Sequence, residues 1–133
     1  MRRLLPALCV ALAALTGCGG DDDEPNRTVR VSAGEPVRVV ASEYAFDPGA
    51  IVVASGPAEL RLTLDNQGDL AHNIVVLDGD TEVGGLPSFP GGEQRTTSVR
   101  VEPGSYRLVC TVADHEELGM KGTLEVKGAE GAR

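Results

Sequence analysis

Turn punctuation governs what this chain can become. From Thr28 onward, Gly34-Glu35-Pro36, Asp47-Pro48-Gly49, Ser55-Gly56-Pro57, the run Asp65 to Asp69 and Glu102-Pro103-Gly104 break the sequence into strand-length segments. Proline and glycine disfavour helix interiors by about 3 and about 1 kcal/mol relative to alanine, so segments bounded this closely read as strands joined by turns. Within them apolar residues recur with a period of two. Leu60, Leu62 and Leu64 alternate with Glu59, Arg61 and Thr63, which predicts a half-buried strand. Val29 and Val31 alternate in the same way, Val37 to Phe46 is a longer β-type run, and Ile51 to Ala54 is a brief one. His72 to Leu77 is nearly continuous apolar sequence, as in a strand covered on both faces. Asp78 to Gly92 reads as loop, while Gln94 to Val101, Tyr106 to Val112 and Gly122 to Lys127 read as strands. Asp114 to Leu118 has room for one helical turn. Seven to eight short strands without an amphipathic helix predict an all-β fold, a Greek-key antiparallel β-sandwich or small barrel.

The start of the chain has a different character. Met1-Arg2-Arg3 is basic, and Leu4 to Leu15 is apolar but for the interruption at Pro6. That run is too short for a membrane-spanning helix, which needs about 20 residues, and suits the core of a signal peptide. Leu15-Thr16-Gly17-Cys18 follows, and it resembles the bacterial lipoprotein box. The resemblance implies acylation of Cys18 and cleavage before it. Gly19 to Asn26 carries Asp21-Asp22-Asp23-Glu24 and nothing apolar to bury, so it reads as a solvated tether. The expected organisation is a leader over 1–17, a lipidated Cys18 with an acidic tether over 18–27, one domain over 28–128, and a disordered tail over 129–133. The expected location is extracytoplasmic, on a bacterial membrane facing the periplasm or the cell exterior.

Charge and residue counts narrow the chemistry. The net charge is −8, and it grows more negative when Arg2 and Arg3 leave with the leader. Phosphate-binding surfaces need the opposite sign. Two Phe, two Tyr and no Trp are too few for a stacking surface, so a nucleic acid is excluded as partner. With two His in all, no metal site built on three imidazoles can form. Of the three Cys, Cys9 belongs to the leader and Cys18 to the anchor, which leaves Cys110 unpaired. An unpaired thiol outside the cytoplasm is either a buried small hydrophobe or a metal ligand.

Its neighbours favour the ligand. Cys110, His115 and Met120 follow one another at Cys-x4-His-x4-Met spacing, and His72 opens a separate strand. Two imidazoles and one thiolate in a trigonal set, with a weak axial thioether, are the donors of a blue copper electron-transfer site. Strand parity supports convergence. Tyr106, Leu108 and Cys110 share one face, Leu124 and Val126 share another, and Gly122 and Met120 extend the second series. Cys110 and Met120 therefore both align with core-facing residues at one end of the sandwich, and the segment between them must loop over that end with His115 at its middle.

Pro103-Gly104-Ser105-Tyr106, Cys110, His115, Gly119-Met120, Gly122 and Leu124-x-Val126 resemble the plastocyanin/azurin family of cupredoxins, over roughly residues 37 to 127. The resemblance implies one type 1 copper ion, the metal ligands His72, Cys110, His115 and Met120, and a role for Asn73 in tying the ligand-bearing segments together. Ala113-Asp114 stand where the family often has Pro-Gly, and the Cys-to-His gap is closer to auracyanin- or rusticyanin-like loops than to plastocyanin's. The implied function is a membrane-anchored one-electron carrier cycling Cu(I)/Cu(II), monomeric, with a redox partner such as a cytochrome or a membrane oxidoreductase. Asp114, Glu116 and Glu117 around His115 would steer a basic partner. The alternative is copper binding, storage or delivery without redox cycling. An enzyme is not expected: multicopper oxidases and copper nitrite reductases need more His, and a binuclear copper loop needs a second Cys.

Overall fold

The computed structural model describes residues 27–129, so the leader, Cys18 and nearly all of the expected tether and tail lie outside the described residues. Among the described residues ten strands form: β1 (Thr28–Val31), β2 (Val37–Ser42), β3 (Ala45–Asp47), β4 (Ala50–Gly56), β5 (Ala58–Asn66), β6 (His72–Asp78), β7 (Thr81–Phe89), β8 (Gln94–Val101), β9 (Gly104–Val109) and β10 (Lys121–Gly128). They make a six-stranded sheet in the order β1-β4-β10-β9-β6-β7 and a four-stranded sheet in the order β3-β2-β5-β8. The inward positions set by the period-two pattern fill the space between the sheets. Val39, Leu62 and Leu64 from one sheet meet Ile74, Val76, Leu108 and Leu124 from the other in a single core.

Three expectations change. The sheets are mixed rather than antiparallel, because β4 pairs in parallel with both β1 and β10, and β2 pairs in parallel with β5. Alternation records which face is buried but not which way a neighbour runs, so the pattern could not separate these cases. The run Val37 to Phe46 is two strands folded into a hairpin, with Glu43 and Tyr44 at its tip and Tyr44 in the left-handed region at φ 64°. The buried positions shift phase across that tip, from odd-numbered Val37, Val39 and Ala41 to Phe46.

The third change is β7, where a loop was expected over Asp78 to Gly92. It is an edge strand, where Pro87 can be accommodated without loss of a ladder bond on the outer side. Gly84 lies in it because the sheets come close: a Cβ there would sit 2.8 Å from Val99 of β8. Gly84, inside the expected loop, is a close-approach glycine. At the far end of the sandwich, the Tyr106 hydroxyl donates to the Glu102 carbonyl (2.7 Å) and accepts from the Glu102 N–H (3.0 Å), fixing the corner into β9.

Candidate metal centre

Antiparallel pairing places the start of β6 beside the end of β9, and the end of β9 beside the start of β10. His72 opens β6, Cys110 follows β9 and Met120 precedes β10, so register alone gathers them at one end of the sandwich. The Cys110 N–H donates to the Met120 carbonyl (3.1 Å), and the Met120 N–H donates to the His115 carbonyl (3.0 Å). These two bonds close the loop on itself. Inside it, the Leu118 N–H reaches the Asp114 carbonyl at 3.1 Å, the single helical turn expected from the sequence. The loop turns at Ala113 with φ 44°, in the segment where the Pro-Gly pair is missing. Arg107 holds it from outside through Glu116 (2.9 Å).

His72, Cys110 and His115 converge with donor atoms all within 4.8 Å of one another. His72 Nδ1 and His115 Nδ1 are 3.2 Å apart, and Cys110 Sγ is 3.6 Å from His115 Nδ1. His72 and Cys110 are fully buried and His115 is 5 % exposed, so these donors face each other shielded from bulk solvent. Two buried imidazole nitrogens aimed at one point, with a thiol beside them, form a donor set that fits copper: soft sulfur for Cu(I), imidazole for either oxidation state. Met120 is fully buried in the core at the same end, its backbone bonded to both neighbours.

Around this set lies a layer of bracing groups. Asn73 and Thr111 exchange two 2.8 Å bonds: the Thr111 N–H donates to Asn73 Oδ1, and Asn73 Nδ2 donates to the Thr111 hydroxyl. This locks the strand carrying His72 to the residue after Cys110. Glu43 and Tyr44, which the sequence reading passed over, come from the four-stranded sheet. Glu43 Oε1 lies 3.3 Å from His72 Nε2, and the Tyr44 ring stands edge-on to His115 with centroids 5.2 Å apart. The signal was present as the phase break between Ala41 and Phe46, which puts both residues at a hairpin tip.

Burial holds the His72 pKa below the ordinary value, with the nearby His115 adding to the effect and Glu43 opposing it. A neutral imidazole, able to donate a lone pair, is therefore the form present at neutral pH. The Leu70 N–H is the main group holding the Glu43 carboxyl below its usual range, partial burial opposes it, and the Asp69 N–H and His72 reinforce it.

Residues 33–127 match the family model described as copper binding proteins, plastocyanin/azurin family. Solved structures share the fold. Auracyanin B superimposes with a TM-score of 0.66 at 23 % identity over 74 % of this chain and 93 % of its own. Dithionite-reduced auracyanin from Roseiflexus castenholzii gives 0.63 at 20 % over 71 % and 98 %. Rusticyanin from Thiobacillus ferrooxidans gives 0.58 at 22 % over 75 % and 82 %. No curated protein sequence matches the chain.

Proposed function

The chain belongs to the plastocyanin/azurin family of copper-binding proteins, and from that premise we propose that it is a one-electron carrier whose single copper ion is held by His72, Cys110, His115 and Met120. Copper bound there supplies a Cu(II)/Cu(I) couple worth one electron per cycle. The observation that carries the reading is a buried donor set braced from every side, by Asn73–Thr111, by the closed 110–120 backbone and by Glu43. Bracing of this kind keeps the ligands in place as charge changes, which suits electron transfer and hinders metal release. One electron enters from a reduced partner and one leaves to an oxidised partner, and the protein makes or breaks no bond.

His115 supplies the path to the surface. It is nearly buried, but Ala113, Asp114, Glu117 and Leu118 around it are exposed, and the half-exposed Tyr44 ring lies against it. Asp114 and Glu117 present the negative rim suited to a basic partner, while Glu116 is paired with Arg107. The test of the carrier reading is the visible spectrum of the copper-loaded oxidised protein followed by redox titration. An intense thiolate-to-copper band with a reversible one-electron response supports it. A colourless protein that binds copper without cycling assigns it to storage or delivery.

The axial role of Met120 makes a signed claim. Met120→Leu keeps volume and apolarity, so the core holds, but it removes a weak donor that favours the oxidised state. A differential of about 1–2 kcal/mol raises the midpoint potential by roughly 40–90 mV, at about 59 mV per 1.4 kcal/mol. An unchanged or lower potential in that variant removes Met120 from the ligand set.

The same reading places the domain outside the cytoplasm, attached to a membrane through lipid on Cys18 and spaced from it by the acidic segment that follows. Cys18→Ser then moves the protein from the membrane fraction to the soluble fraction and leaves the spectrum as it was. Continued fractionation with membranes excludes the anchor.

A further inference from the structure

The Glu43 carboxylate is built into the centre in a way that turn capping alone does not require. Its Oε1 atom accepts the Asp69 N–H (2.8 Å) and the Leu70 N–H (2.9 Å), and the same atom faces Nε2 of the fully buried His72 at 3.3 Å. Gly68 completes the cradle, because a Cβ at that position would overlap the carboxylate. Three features from a different segment thus bring one anionic oxygen to the outer nitrogen of an imidazole whose inner nitrogen points at Cys110 and His115. A carboxylate only accepts, so the proton between these atoms belongs to Nε2 of His72. His72 Nδ1 is then left as a lone-pair donor. The partner of a ligating imidazole fixes its tautomer and raises its basicity.

Resting on the copper reading above, we infer that Glu43 is a positioning residue that fixes the Nδ1-donor form of His72 and, by its negative charge, weights the centre toward Cu(II) over Cu(I). The Glu43 side chain is 36 % exposed on its outer side, and its Oε1 atom meets the centre through the fully buried His72 ring, where solvent screening is weaker than across the open surface. Glu43→Gln separates the two roles. The amide oxygen still accepts from Asp69, Leu70 and His72, while the charge is gone.

Two measurements test this. Nitrogen-15 NMR of the metal-free protein reads the His72 tautomer directly, and chelator competition reads Cu(II) and Cu(I) affinities separately. The expected results are a proton on Nε2 in the parent and in Glu43→Gln, and a mixture of tautomers in Glu43→Ala. The ratio of Cu(II) to Cu(I) affinity falls about tenfold in Glu43→Gln. Gly68→Ala, which displaces the carboxylate without altering it, lowers the ratio in the same direction. A proton on Nδ1 in the parent overturns the positioning role, and an unchanged affinity ratio in Glu43→Gln reduces Glu43 to a turn cap. If copper does not cycle in the parent the carrier reading fails, yet the tautomer and the two affinities still decide the role of Glu43.

Discussion

Cys110→Ser abolishes the intense visible absorption of the copper-loaded protein and leaves the sandwich folded. This follows from the ligand set proposed above, in which the thiolate is the charge-transfer partner of the metal, because a hydroxyl is a poor ligand for Cu(I). Cu(I) affinity falls by more than about a hundredfold, beyond the 10–100-fold loss typical of removing an outer partner of a ligand. The fold survives because the contacts that shape this end of the molecule are made by the backbone. The Cys110 N–H keeps its bond to the Met120 carbonyl, and Asn73 still clasps Thr111. Absorption and circular dichroism on the same sample check both halves. A retained band takes Cys110 out of the site, and a lost fold makes the residue structural before it is a ligand.

Asn66→Ala carries the largest expected cost in stability. Asn66 is fully buried and its side chain makes three bonds of 3.0 Å: Nδ2 donates to the Leu70 and Phe89 carbonyls, and Oδ1 accepts the Gly68 N–H. Truncation leaves three backbone groups to find other partners at the mouth of the core. The expected loss is about 2–4 kcal/mol, since an unsatisfied buried polar group costs about 1–3 kcal/mol. For a domain of this size that lowers the melting temperature by roughly 10–15 °C. The turn it braces also presents the Asp69 and Leu70 N–H groups to Glu43, so the variant loosens the outer support of His72 as well. Urea unfolding of the metal-free variant measures the loss, and a midpoint equal to the parent's shows that water replaces the amide without penalty.

What could be read from the sequence follows from rarity and period. His72 and His115 are the chain's two histidines and Cys110 is its one cysteine after Cys18, so each donor stood out against its surroundings. The alternation in β5 and the parity of Leu108, Cys110, Met120 and Leu124 gave the faces and the end of the sandwich where those donors meet. Glu43 was illegible because it is one of 20 acidic residues and its partner His72 is 29 positions away. Asn66 read only as one residue of the turn from Asp65 to Asp69, because its three partners are backbone groups, which leave no mark on composition. The β7 strand was hidden by glycines and a proline whose meaning depends on a neighbouring sheet and on an edge position. The parallel pairs were hidden because period two carries no direction.

The donor atoms belong to segments far apart along the chain: His72 and His115 are separated by 43 positions, and Glu43, from the other sheet, leans on the first of them. Any ion gripped by these side chains cross-links the polypeptide across that span. Closing so long a loop removes disorder from the unfolded chain, as a disulfide does in small secreted domains. Cys110 is the one cysteine among the described residues, and it is buried and free. On the copper reading proposed above, coordination supplies the link that its thiol cannot form with a second sulfur, so the metal-loaded sandwich resists unfolding better than the metal-free one, which the backbone contacts already hold together.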